Sequence, residues 1–186
     1  MRRLSSTFKI KINKLTPSFI KDMKEKYGEA ELEITVNREP DFIPLQEDEF
    51  WNIIALLDWE KEGETIVEPV IEKLSSLPVA HIYSFEDILS EKLYQLDQQA
   101  IAENIGGSEK HFSVDGFLYA RACVVANGKE AYETVLNNPT EMPKDITFEP
   151  ILSIAAKAYQ RKTKKEFLYN PSHNYETYSN KEGWKK

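Results

Sequence analysis

Ser113-Val114-Asp115-Gly116-Phe117-Leu118-Tyr119-Ala120-Arg121-Ala122-Cys123-Val124-Val125-Ala126-Asn127-Gly128 decides how the rest of the chain is read. The stretch predicts a helix, with Ser113 or Asp115 near its start and Gly128 closing it. Apolar residues occupy almost every side of that helix, which marks it as buried. Between Gly116 and Gly128 the only charged side chain is Arg121. A guanidinium buried without a partner is very costly, so Arg121 must meet a carboxylate, carbonyl oxygens or a ligand.

Outward from this helix, further helical patterns fill the chain from residue 47 to 163. Phe50, Ile53, Ile54 and Leu57 follow helical spacing behind an acidic first turn of Glu47, Asp48 and Glu49. Val67, Val70, Ile71 and Leu74 mark a second helix, with Pro69 in its first turn. Ile82, Phe85, Leu89, Leu93 and Leu96 form the longest stripe, which can continue through Ala100 and Ile101. Beyond Gly128, Ala131, Tyr132, Val135 and Leu136 form another, and Ile151, Ile154, Ala155, Ala158 and Tyr159 the last.

Ahead of this body, residues 1–37 read as a β-α-β module. Phe8, Ile10 and Ile12 alternate with polar residues, as do Leu32, Ile34 and Val36. Between them Thr16 caps a helix, Pro17 opens it and Gly28 ends it. Paired as neighbours, the strands would set Lys9 and Lys11 beside Glu31 and Glu33. Residues 38–46, with Pro40 and Pro44, read as a linker. Residues 164–186 lack periodicity and are expected to be extended or disordered, with Tyr175, Tyr178 and Trp184 able to adhere to the surface. The fold class expected is therefore mainly α, a multi-helix bundle, with a small N-terminal β-α-β module: α+β overall.

The 186 residues carry a formal charge of −7, with 41% hydrophobic content. That is enough for a core without a metal or disulfide staple. The acidic balance argues against nucleic acid as the partner. Cys123 is the single cysteine. It excludes an intramolecular disulfide, fits a reducing compartment and reads as an inert core residue. The start has no signal-peptide pattern and no apolar run approaches a membrane span, so a cytoplasmic location is expected.

Candidate chemistry is sparse. His81, His111 and His173 are too scattered for a metal site, and no cofactor motif is present. Asp115, Arg121 and His111 form the one ligand-binding candidate, an anion or carboxylate pocket at the start of the central helix. The favoured reading is structural: Arg121 pairs with Asp97, or with Glu91, on the preceding helix. Asp115 then stabilises the positive end of its own helix. Residues Lys157 to Lys165 are rich in cations and read as a solvated helix end.

Three pieces together carry a family resemblance. They are Phe50-Trp51-Asn52-Ile53-Ile54; Leu74-Ser75-Ser76-Leu77-Pro78 with Ile82 and Phe85; and Ser113 to Phe117 leading to Tyr119-Ala120-Arg121, Gly128, Tyr132 and Asn138-Pro139. In order and spacing they resemble a bacterial family of unknown function, the one numbered four-two-four-zero, from about Glu47 to Tyr159. The resemblance implies a helical bacterial domain and supplies no activity. The chain departs from the family pattern at Val114, where a second acid is usual, at Ala120 and at Cys123.

With no catalytic constellation, the expected function is a non-enzymatic interaction protein, of antitoxin or immunity type. It would bind another protein or a second copy of the chain through the open edge of the N-terminal sheet. The alternative is an enzyme or small-anion-binding domain with its site around Asp115 and Arg121.

Overall fold

A computed structural model describes residues 15–28, 44–105 and 113–185. The chain divides into two units, 1–41 and 42–186. Of the first unit, the described part is helix α1 (Pro17–Tyr27). The hydroxyl of Thr16 accepts from the Phe19 amide at 3.3 Å, Pro17 sits in the first turn, and Gly28 stops the helix at φ 58°. None of its residues is buried.

Among the described residues there is no strand, so the expected α+β class with its β-α-β module is corrected to an α class. The two alternating stretches, 8–12 and 32–36, lie outside the described residues. Alternation alone is a weak warrant for a strand: pairing must come from a neighbouring ladder, and the described residues supply none. The helix of that module stands as its caps dictate.

The second unit is built from α2 (Glu47–Ile54), α3 (Glu68–Ser76), α4 (Val79–Gln95), α5 (Gln99–Ala102), α6 (Val114–Ala126), α7 (Lys129–Asn137) and α8 (Ile154–Thr163). Three 3-10 turns join them, at Gly63–Val67, Pro139–Glu141 and Glu149–Ser153. Helix α6 is buried from Phe117 to Ala126 except at Tyr119, as its all-round apolar surface requires. Ser113 caps it, accepting from the Gly116 amide at 3.2 Å. Gly128, at φ 94°, makes the turn into α7 in a conformation that side chains other than hydrogen disfavour.

Helix α6 packs on α4, α7 and the Glu149–Ser153 turn, while α8 packs on α3 and α4. The core between them holds Phe50, Phe85, Leu89, Leu93, Leu96 and Phe117, none more than 1% exposed. The long apolar stripe predicted through Ile101 is broken in two. Residues 96–98 leave the helical path, Gln98 being extended (φ −129°, ψ 143°), and α5 follows as a short separate turn. That break turns Asp97 inward.

Candidate functional site

Arg121 is fully buried. Its Nη1 donates to the Leu93 carbonyl at 2.7 Å, and its Nη2 donates to the Tyr175 carbonyl at 3.0 Å and to Thr177 Oγ1 at 3.1 Å. The Leu93 carbonyl is available because α4 ends there: the Asp97 amide, which would otherwise have met it, turns to the Tyr94 carbonyl. The guanidinium thus caps the negative end of α4. It also lies 4.7 Å from the Phe117 ring one turn earlier on its own helix. Burial draws its pKa down to about 10, opposed by the negative charges of Asp97 and Glu176. Its Nε is buried with no acceptor among the described residues.

The expected Arg121–Asp97 ion pair does not form. It is absent from the ion pairs of the described residues. Asp97, also fully buried, is engaged elsewhere. Its Oδ1 accepts from the Tyr178 amide at 3.2 Å and the Trp184 indole at 2.9 Å, and its Oδ2 accepts from the Asn180 amide at 2.9 Å. The cation is therefore neutralised by carbonyls and by a through-space field, because the C-terminal tail saturates each charge separately. Glu91 is not the partner either; it accepts from the Gln95 side chain at 2.9 Å.

The structure does not bring Asp115 and Arg121 together. Asp115 is exposed in the first turn of α6, six residues before the enclosed Arg121 and on another face. With Glu149, it acts on the Tyr119 hydroxyl, whose pKa the two acids push up, Glu149 more strongly. His111 lies outside the described residues. No group of three metal-binding side chains occurs among the described residues. Cys123 is a buried free thiol whose pKa burial raises. The cations of the 157–165 stretch serve the surface: Lys157 pairs with Glu64 at 2.7 Å and Arg161 with Glu68 at 2.7 Å.

What the sequence left unseen is the tail. Residues 164–185 form no helix, yet they are held along α4 and α6. The Ser172 amide and the Tyr169 hydroxyl each donate to Asp87 at 2.7 Å. Thr177 Oγ1 donates to the Val114 carbonyl at 2.8 Å, Asn180 Nδ2 to the Tyr94 carbonyl at 3.1 Å, and the Gln99 amide to the Gly183 carbonyl at 2.9 Å. The sequence signal for this is the aromatic residues of the segment: Tyr175, Tyr178 and Trp184, able to adhere to the surface, with Phe167 and Tyr169 adding two more.

A second buried charge cluster joins α2, α4 and α7. Lys92, 5% exposed, pairs with Glu47 at 2.9 Å and lies 5.3 Å from the Tyr132 ring. The Trp51 indole donates to the same carboxylate at 3.2 Å. The hydrogen bond from Lys92, then that from Trp51, holds the Glu47 carboxyl below its ordinary pKa against the opposing effect of burial.

Glu86, beside Asp87 on α4, is 6% exposed, and no hydrogen bond among the described residues reaches its carboxyl. Burial, with the neighbouring Asp87 charge, raises its pKa to about 7 from 4.5. The folded protein then holds this proton more tightly than the unfolded chain. Stability from this group is greatest at acid pH and falls as pH rises from about 4.5 to about 7. Glu86→Gln is expected to flatten that decline, raising stability near pH 8 by up to about 3 kcal/mol and changing it little near pH 4. Urea midpoints at the two pH values measure it; equal effects at both would refute the assignment.

Comparison with known families returns one match: residues 45–161 fit the family described as protein of unknown function, DUF4240. Neither a curated protein nor a solved structure matches the chain.

Proposed function

The chain belongs to the DUF4240 family, and we propose that it is a non-enzymatic protein–protein interaction module of the cytoplasm, of antitoxin or immunity type. One observation carries this reading. Arg121, the cation of the anion-site candidate, is enclosed and satisfied by three oxygens of its own chain. Large apolar side chains remain at the surface instead. Trp59 is 51% exposed, its ring tilted against that of Phe148 at 5.0 Å, and Ile146 is 55% exposed. On the first unit, taken by itself, Ile20 and Tyr27 of α1 are 48% and 44% exposed. Exposed aromatic and aliphatic groups of this kind are what a partner protein, or a second copy of the chain, would cover. No described helix is long and apolar enough to cross a membrane.

The competing reading, an anion site shared by Asp115 and Arg121, needs both residues at one surface, and they are not. Calorimetric titration of the full chain with phosphate and with acetate is expected to give no binding heat. For the interaction reading, Trp59→Asp and Ile20→Asp are the decisive variants. Affinity capture and light scattering should show a retained partner or a dimer for the natural chain and its loss in at least one variant, with thermal melting unchanged. A natural chain that is monomeric and retains no partner would defeat the proposal.

A further inference from the structure

The body of the chain contributes two fully buried charges, Asp97 and Arg121, and what covers both is the tail. The contacts run mainly from body side chains to tail main chain. Asp97 takes the amides of Tyr178 and Asn180, and Arg121 takes the carbonyl of Tyr175. Main-chain capture of this kind recognises a segment by its shape, with side chains adding selectivity at a few points. Here those points are the Thr177 hydroxyl on Arg121, the Trp184 indole on Asp97, and Gly183. A Cβ on Gly183 would lie 2.6 Å from the Asp97 carbonyl oxygen, so the segment fits only with glycine there.

The tail is partly embedded: Phe167, Tyr175 and Trp184 pack against the core without being fully buried. Thr177 is its one buried residue among those described. The tail also lies outside the family match, which ends at residue 161. Seating it takes two charges out of water, and lifting it returns both to water. The hydrogen bonds gained and the hydration lost are of comparable size. One donor, Arg121 Nε, gains no acceptor when the tail is seated. Such a balance makes a segment able to leave while the helices beneath it stay folded.

We propose that the cleft of Asp97 and Arg121, between α4 and α6, is a peptide-binding site. Its resident ligand is the chain's own segment 172–184, seated reversibly and exchangeable with a segment of the same chemistry from outside. The ligand class is an irregular, turn-forming peptide that offers two amides and an indole to Asp97, and a carbonyl and a hydroxyl to Arg121. This rests on the interaction reading above and gives it a second, switchable surface, distinct from the Trp59 face.

The test uses the full chain. In the natural protein the amides of Tyr178 and Asn180 should exchange with solvent at least about tenfold faster than those of Leu89 and Val124 in the helices. Gly183→Ala should speed the two tail amides by a further factor of about ten and leave the helix amides and the thermal melt of the body unchanged. Thr177→Val, which keeps the volume but loses both hydroxyl contacts, should act in the same direction. A synthetic peptide of residues 171–186 should bind the Gly183→Ala chain at least about tenfold more tightly than the natural chain, since its site is no longer filled in cis. The same peptide carrying Gly183→Ala should not bind. Tail amides that exchange in step with the helices, or a peptide that fails to bind the Gly183→Ala chain, would overturn the proposal. Loss of partner capture by Trp59→Asp or Ile20→Asp speaks only to the interaction reading, so the two can fail independently.

Discussion

Arg121→Ala is expected to destabilise the protein by about 3–5 kcal/mol, the range for removing one partner from a buried charged network. The natural side chain holds the Leu93 carbonyl, the Tyr175 carbonyl and Thr177 Oγ1. Without it the Leu93 carbonyl, in the last turn of α4, loses its cap, a cavity opens beneath Phe117, and Asp97 keeps a buried negative charge with no cation to offset it. Arg121→Lys is expected to recover only part of the loss. A single ammonium cannot reach both α4 and the tail, which the planar fork of the guanidinium does. Arg121→Met, which restores much of the volume, should cost less than alanine and so separate the packing loss from the polar loss. Urea denaturation followed by circular dichroism measures all three. An alanine variant as stable as the natural chain would mean that Arg121 is not enclosed, and the arrangement of α4, α6 and the tail would be wrong.

Phe50→Ala should cost a similar amount, about 3–5 kcal/mol, the usual penalty for emptying an aromatic core position. Phe50 is 0% exposed and its ring lies 4.9 Å from that of Phe85 on α4. Helix α2 has only eight residues, too few to persist on propensity alone. It is retained by the side chains it buries, Phe50, Trp51, Ile53 and Ile54. Loosening it also withdraws Glu47 from Lys92, leaving an ammonium that is 5% exposed without its carboxylate. Phe50→Leu keeps most of the apolar volume and should cost well under half as much. The decisive reading is near-ultraviolet dichroism of Trp51 together with the urea midpoint. Loss of the Trp51 signal ahead of the global transition would show α2 detaching first, and an unchanged midpoint would refute the packing described.

Most of the helical body was legible because its signals are local. The spacing of Phe50, Ile53, Ile54 and Leu57, the cap at Ser113 and the stop at Gly128 each act within a turn or two of the chain. The family resemblance held for the same reason, since it rested on residues inside that body. The β reading of the first module failed to carry over to a fold class. Alternation at Phe8 to Ile12 and Leu32 to Val36 describes what a strand would look like, while a sheet needs a pairing that no local pattern records.

The candidate site was legible in one half only. That Arg121 must be neutralised follows from a guanidinium in an apolar helix, and its enclosure bears out that need. Which atoms neutralise it did not follow. Asp97, which the apolar stripe places on the preceding helix, was the reasonable partner, yet the break after Gln95 turns it to three donors from the tail.

By itself, then, the order of residues determined most of the helices, their caps, the burial of α6 and the requirement for a counterpart to Arg121. Only the tertiary structure decided that the counterpart is a carbonyl at the end of α4 and two oxygens more than fifty residues downstream. Helical periodicity is written in neighbours three and four positions apart. A contact between residue 121 and residue 177 is made by chain closure, and polar residues such as Thr177, Asn180 and Gly183 carry no periodic mark of where they will land.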